Sequence, residues 1–367
     1  MVRLFPGLAL LLIFFASNTF AQPLSAYTNM QNQLMVWDNG MIRKIDYLRP
    51  VELKIGRSAI PYLDNSRSFK IYYGGGVQTV NIGFTNQFYA TDNLVAFVNA
   101  QSLNVFEQGE IKNLSTLSPQ YFIGDSLIVF YDGIRSEYKA YYDGAVYPLE
   151  NFLAGQPLEV IKVSDNIAAY DNYANQFRIF YQGNIIAQED YAVDEFDVGR
   201  NTVAYVNLNR EFKVFHKGQT ITLEQFPPES FIAGDDLVAY VSNDGYFKIF
   251  YDDSIMTMGF FRPNYQVGDN VVAFQDGGGY FRAFHKGFVA TLESYYPDNY
   301  TVQYNSLAYV NRAGALRLFT AGEVWDVTTL FAGSETAQDN NWFLAYDVLQ
   351  YRVGLNLFRV FHAGEEY

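Results

Sequence analysis

Along most of the chain, apolar and polar positions fall in short blocks separated by turn residues. Gly234 to Asp253, GDDLVAYVSNDGYFKIFYDD, shows the pattern. Leu237–Val241 and Tyr246–Tyr251 are rich in Val, Ile, Tyr and Phe, which suit a pleated, largely buried strand. Between them Ser242, Asn243, Asp244 and Gly245 tolerate the positive φ of a tight turn, so the stretch predicts a β-hairpin.

The same hairpin recurs. Taking the aromatic of its first strand as anchor gives Tyr62, Phe97, Phe130, Tyr170, Tyr205, Tyr240, Phe274, Tyr309 and Tyr346, spaced 33 to 40 residues apart and 35 in four of the eight steps. Nine copies at so regular a period predict a repeat architecture. Each unit reads as four strands. A lead-in such as Ser230–Ala233 ends in a Gly-Asp or Asp-Asn turn, the hairpin follows, and a fourth strand such as Thr220–Glu224 comes after a Lys217–Gly218 turn. Links such as Phe226-Pro227-Pro228 join the units, and beyond the first twenty or so residues no segment has helical periodicity.

A single four-stranded sheet cannot bury both faces, whereas copies stacked around an axis can. That explains strands as uniformly apolar as Phe247–Tyr251. The expected fold class is all-β, a β-propeller of four-stranded antiparallel blades with about nine repeats, eight to ten being allowed. The chain starts on what reads as a hairpin's second strand, Leu34–Trp37, and ends on another, Leu357–Gly364, with no fourth strand after it. The amino-terminal strand is therefore expected to close the last blade, and residues 22–367 to form one domain.

The first residues change the picture of where this happens. Arg3, the apolar run Leu4–Phe15, and small residues at Thr19 and Ala21 have the layout of a signal peptide, expected over residues 1–21. Pro6 and Gly7 interrupt the run, which is too short for a membrane span. Export to a periplasm or to the cell surface is thus expected. The chain has no cysteine, so disulfides contribute nothing even there. Without Arg3 it carries 24 basic against 39 acidic side chains, a balance that disfavours nucleic acid and anionic membranes as partners. Aromatic residues make up 18% of the chain, which predicts a dense aromatic core.

Candidate chemistry is sparse. His216, His285 and His362 occupy a repeat position held elsewhere by Tyr73, Tyr142, Tyr181 and Tyr251, so packing and hydrogen bonding are expected of them rather than metal binding. No nucleophile elbow occurs. Gly74–Gly76 and Gly277–Gly279 lead into strands, so they read as hairpin turns and not phosphate loops. Acidic pairs such as Asp235-Asp236, Asp252-Asp253 and Glu189-Asp190 match no calcium loop and read as solvated turn residues. No catalytic residue, metal or cofactor is assigned.

Two recurring residue types remain. Lys70, Lys139, Arg178, Lys213, Lys248, Arg282, Arg317 and Arg359 share the second position of the hairpin's second strand, with Asn104 the one interruption. They read either as intra-sheet partners of polar residues two after the anchor, such as Asp64, Asp132 and Asp276, or as a cationic rim for anionic glycans or carboxylate-bearing partners. Tyr265, Tyr295, Tyr296 and Tyr300 lie near links and read as inter-blade packing or as exposed contacts for sugar or protein.

Over most of Gln33 to Gly364 the Gly-terminated hairpin repeats resemble secreted bacterial β-propellers of the quinoprotein-like and surface-repeat kinds. The tryptophan docking motif of true quinoprotein repeats is missing, since Trp37, Trp325 and Trp342 do not recur in register, and cofactor chemistry is not carried over. The expected function is a non-catalytic exported scaffold for a protein partner at the bacterial envelope. A carbohydrate-binding propeller is the alternative, and a polysaccharide hydrolase or lyase the second.

Overall fold

The computed structural model describes residues 23–80, 84–118, 120–151, 158, 161–329, 342–354 and 357–367. The expected signal peptide lies outside them. Every regular element among the described residues is a strand, and the strands form ten antiparallel sheets in chain order. Nine sheets have four strands, and the first has three among the described residues.

The seventh sheet is typical: Ser230–Gly234, Leu237–Val241, Tyr246–Tyr251 and Ser254–Phe260, each paired with the next. Its hairpin register sets Tyr240 opposite Lys248. First strands of successive sheets touch, as Glu195–Gly199 touches Ser230–Gly234 and that strand touches Tyr265–Val267. They therefore line the axis of a ring, and the fourth strands form its circumference. Such a meander has two unlike ends. At the turn end lie the turns between first and second strands and between third and fourth. At the link end lie the hairpin loops and the links between sheets.

The core lies between neighbouring sheets. Ala204 and Val214 of the sixth sheet pack with Val238, Tyr240 and Phe250 of the seventh, while the alternate residues Leu237, Ala239 and Ile249 pack with Val272, Phe274 and Phe284 of the eighth. Second and third strands are thus buried on both faces, which is why their sequences are nearly all apolar. Aromatic triplets repeat the contact: Phe212 lies 4.9 Å from Phe231 and 5.2 Å from Tyr240, and Phe247 lies 5.2 Å from Tyr265 and 5.1 Å from Phe274.

The count is ten rather than nine, inside the range expected. Leu34–Asp38 pairs with Ser25–Thr28 and Met41–Asp46 in a sheet of its own, whose anchor is Tyr27, opposite Met35 and 35 residues before Tyr62. The amino-terminal strand does not close the last blade, because Glu365–Glu366 already occupies that edge. First and last sheets meet face to face instead. Tyr27 packs 5.6 Å from Phe358, Trp37 sits 5.0 Å from His362 and 5.5 Å from Tyr367, and Ser25 Oγ donates to Gln350 Oε1 at 2.7 Å. The last anchor also moves: Tyr351 stands opposite Arg359, while Tyr346 is a turn residue with φ of 58°.

Candidate functional site

At the link end the recurring cations hold the same register position in successive sheets, each opposite the aromatic of the second strand, as Lys248 stands opposite Tyr240. Their partners follow from a bulge in the fourth strand. In the sixth sheet Phe212 pairs with Glu224 but Lys213 with Thr222, leaving Leu223 as the extra residue, buried in the core. The seventh and eighth sheets slip at the same place. The bulge turns the strand's last acid toward the following sheet. Glu224 there meets Lys248 at 2.7 Å and accepts from Tyr240 Oη at 3.0 Å. Asp46 with Lys70 (3.0 Å), Glu189 with Lys213 (3.4 Å) and Glu293 with Arg317 (2.8 Å) repeat it.

Where the acid is replaced, by Ser115 or Gly259, the next cation turns to its own sheet. Lys139 pairs with Asp132 at 2.6 Å and Glu137 at 2.9 Å, and Arg282 with Asp276 at 2.7 Å. Arg178 donates to the Phe177 and Glu189 carbonyls at 3.3 and 3.4 Å, and Arg359 pairs with Glu366 at 2.6 Å. The expected intra-sheet partners Asp64, Asp132 and Asp276 are therefore in place. The inter-sheet acids were missed, although four of them precede their cation by 24 residues. Clefts of about 470 and 400 Å³ open beside Lys139 and Arg317.

The four tyrosines are half-buried. Tyr265 and Tyr300 open first strands; Tyr265 donates to Ser230 Oγ at 3.0 Å, and Tyr300 hydrogen-bonds Tyr296 while both pack on Phe281. Tyr295 Oη accepts from the Arg312 amide at 2.6 Å, beneath the guanidinium at 4.0 Å.

The turn end is built differently. Gly56, Gly124, Gly199, Gly234 and Gly268 close the first strands, and none needs a positive φ. Each is required because the next sheet's backbone occupies the place of a side chain: a Cβ on Gly124 would lie 1.8 Å from the Ser164 carbonyl oxygen, and one on Gly199 2.0 Å from that of Gly234. The turns interlock through this close approach. Ser126 N donates to Asp165 O at 2.8 Å, Asp235 N to Asp269 O at 2.6 Å, and Asp269 N to Tyr304 O at 2.6 Å.

The first residue of each turn thereby enters one ring about the axis. Asp92, Asp125, Asp165, Asp235 and Asp269 hold five of its positions, and Arg57, Arg200, Tyr304 and Tyr346 hold four more. Asp269, five sheets away, still raises the pKa of Asp92. Arg200 Nε lies 2.8 Å from Asp165 Oδ2, and the Arg200 amide donates to Asp235 Oδ1 at 3.0 Å. Burial, and then the neighbouring carboxylates, push Asp92 up to about 9 and Asp235 to about 8, with Asp269 at about 7 and Asp125 at about 6. Asp92 is 9% exposed, and its Oδ1 has no hydrogen-bond partner among the described residues. On the opposite arc Tyr304 and Tyr346 stack at 4.0 Å, with Arg57 4.6 Å over Tyr346.

The acidic pairs are thus not merely solvated turns. Asp235 belongs to the ring, and Glu189 staples two sheets. Asp236 and Asp253 clamp His216, at 3.2 Å from Nε2 and 2.7 Å from Nδ1. Burial alone pulls the His216 pKa down, but the two carboxylates outweigh it and the net shift is upward. The recurring Gly-Asp turn was visible in the sequence; what hid the ring is that Gly-Asp is also ordinary turn chemistry. Among the described residues no group of three His, Asp or Glu side chains is arranged to hold a metal ion.

A family model described as a 10-bladed beta propeller domain matches residues 18–367. No curated protein matches the chain. Among solved structures it is similar to the computationally designed Ika8 protein, at 14% identity over 76% of this chain and 96% of that one, with a TM-score of 0.35. It is also similar to the CRINKLY WD40 ectodomain of an Arabidopsis thaliana receptor kinase, at 11% identity over 63% and 93% of the two chains, TM-score 0.34. Prp20p from Saccharomyces cerevisiae is 10% identical over 66% and 88%, TM-score 0.32.

Proposed function

The chain belongs to the ten-bladed β-propeller domain family, and from that premise we propose that it is an exported, non-catalytic scaffold which binds a protein partner at the bacterial envelope. The observation that carries this reading is an arc of aromatic side chains at the link end. Tyr191, Phe226 and Phe260 mark three consecutive connections between the fifth and eighth sheets, and each is about two-thirds exposed. Leu208 joins Tyr191 beside a cleft of about 210 Å³ whose rim holds Glu189 and Asp190. Large aromatics held in water at successive repeats, with polar residues around them, have the make-up of a docking surface.

The test is site-specific photo-crosslinking in envelope extract from Phe226, with Phe288 at the turn end as control, since it is 80% exposed. A partner captured from Phe226 is then purified and its binding measured. Tyr191→Ser, Phe226→Ser and Phe260→Ser together are expected to weaken it by about tenfold or more. Equal capture from both ends, or binding that survives the triple variant, would overturn the docking face. Export is tested separately by mass spectrometry of the secreted chain, which is expected to begin at Gln22.

A further inference from the structure

The turn between third and fourth strands is the most uniform feature of the repeat. In nine of the ten sheets its second residue is glycine, from Gly40 and Gly75 to Gly322 and Gly364, with φ between 76° and 89°. A residue with a side chain is strained in that left-handed backbone, so glycine holds it. The seventh sheet is the exception. Asp253 stands there with φ of 56°, directly after Asp252 with φ of 49°. A side chain held in strained backbone against the rule of its own repeat calls for a compensating contact.

That contact is His216 of the sixth sheet. Its side chain is 2% exposed, and each ring nitrogen meets a carboxylate. Nδ1 lies 2.7 Å from Asp253 Oδ1 and Nε2 3.2 Å from Asp236 Oδ1. Both acids belong to the seventh sheet, Asp236 to its first turn and Asp253 to its last. A neutral imidazole has one N–H and one lone pair, and an ionised carboxylate only accepts. One of the two contacts would then set lone pair against lone pair, whereas an imidazolium donates to both. Other charges bear on the pair. Asp236 Oδ1 also takes Asn201 Nδ2 at 3.1 Å and the Lys217 ammonium at 3.3 Å, and Lys217 opposes the imidazolium. Tyr181 of the fifth sheet and Arg200 of the sixth lie within the field of Asp236. The Phe250 ring packs edge-on against His216 at 5.4 Å.

The eighth sheet supplies the comparison. His285 holds the same position there, but the corresponding turns of the ninth sheet carry Asn305 and Gly322 in place of the two acids. A Cβ on Gly322 would lie 3.8 Å from the His285 ring, where Asp253 reaches His216. His285 Nδ1 has no hydrogen-bond partner among the described residues, and burial pushes its pKa down. His362 meets one carboxylate, Asp347 of its own sheet, at 3.2 Å.

We propose that His216 is a proton-operated latch between the sixth and seventh sheets. As an imidazolium it bridges Asp236 and Asp253 and holds the seam shut; on losing its proton it releases Asp253, and that seam alone loosens. Nothing then holds the strained Asp253 turn in place. The carboxylates raise the folded pKa of His216, so the latch is complete below the ordinary histidine value of about 6.5 and is lost as pH climbs through the higher folded value. The device is independent of docking at the link end.

The chain has three histidines, so the imidazole resonances of the full chain can be followed by NMR across neutral pH and assigned by replacing each in turn. His216 is expected to carry both protons at a pH of about 6.5 and to titrate at higher pH than His285. Asp253→Gly restores the residue of the other nine turns and is expected to fold. It should move the His216 midpoint down and leave that of His285 in place, and Asp236→Asn should do the same. Hydrogen exchange, corrected for its intrinsic pH dependence, reads the seam. Between pH of about 6 and about 8.5, protection of the Phe250 and Tyr251 amides should fall several-fold, against little change at Phe319 and Thr320, their counterparts beside His285. His216→Tyr, which installs the side chain found at Tyr181 and Tyr251, should abolish that difference. A His216 midpoint at or below that of His285, a midpoint that Asp253→Gly leaves unmoved, or equal loss of protection at both seams would overturn the latch.

Discussion

The two ends of this ring use the same residue types to opposite effect. At the link end most of these acids meet a cation, while Asp171 and Glu150 are pushed up by burial: burial of Asp132 opposes its ionisation, but Lys139 and two backbone amides outweigh that, and its pKa sits below the usual carboxylate range. Asp64 and Asp276 behave alike, through Lys70 and Arg282. At the turn end Asp92 is buried and Asp125, Asp235 and Asp269 partly so, close enough to feel one another's charge, and all four are shifted the other way. Burial therefore does not set the sign by itself; the sign depends on whether an opposite charge and hydrogen bonds outweigh it, as they do for Asp132 and do not for Asp165 beside Arg200.

The sharpest test of that contrast is pH. A carboxyl whose folded pKa is raised binds its proton more tightly in the native state, so its contribution to stability is complete below about 4 and disappears as pH climbs through the folded values of about 6 to 9. His216, also raised, loses its clamp in the same direction. The link-end acids have lowered values, so their contribution is present above about 4 and lost below it. The protein should be most stable near pH 5 and lose stability progressively towards pH 9. Hydrogen exchange should place the alkaline loosening at the turns around Asp92 and Asp235. Asp92→Asn should flatten the alkaline limb, and a limb of equal steepness in that variant would break the account.

The interlock that creates the acid crowding comes next. Gly199→Ala puts a methyl group into the Gly234 backbone, and a loss of about 3 kcal/mol in denaturant unfolding is expected. Gly218→Ala is the contrast, because it has φ of 88° with open space around it and should cost only about 1 kcal/mol of backbone strain. Equal losses would mean that the turns do not press on one another.

Much of this was legible in the sequence, and the reason is the repeat. Every 35 residues the chain reports the same four strands, so fold class, the hairpin register of Tyr240 on Lys248 and the cation ring could all be read from spacing. The tenth unit escaped because its cation is Met35, although Tyr27 keeps the period; the last anchor was misplaced because Tyr346, a ring residue of the turn, stands closer to the expected spacing than Tyr351. The turn-end ring was harder. Its members are Asp, Arg or Tyr by turns, and their convergence depends on sheets closing around an axis, which no local pattern encodes.

Among single pairs at the link end, the staple of Glu224 with Lys248 should matter most. Both side chains are about four-fifths buried, and the acid also holds Tyr240. Glu224→Gln is expected to cost about 1–2 kcal/mol, between the values for exposed and for fully buried pairs. A double-mutant cycle with Lys248→Met should return a coupling of about 1 kcal/mol, and a coupling near zero would mean that the bulge aims the acid to no effect.

Arg262 and Glu229 supply the smallest effect and the clearest control. Their geometry is better than that of the staple: Nε and an Nη donate to the two carboxylate oxygens at 2.6 and 2.5 Å, joining two links at the same end of the ring. The difference is solvent, because the Arg262 side chain is more than half exposed and Glu229 about a third. Water and salt screen an exposed pair, and ordering two long side chains costs entropy that offsets the attraction. Glu229→Gln should leave the unfolding midpoint where it was, and raising the salt to about 0.5 M should change neither wild type nor variant at this site. The Glu224 staple, screened less, should keep its coupling under the same salt. Should Glu229→Gln destabilise the ring as much as Glu224→Gln does, geometry and not burial would set the strength of these inter-blade pairs, and the contrast between the two ends would have to be rebuilt on distances alone.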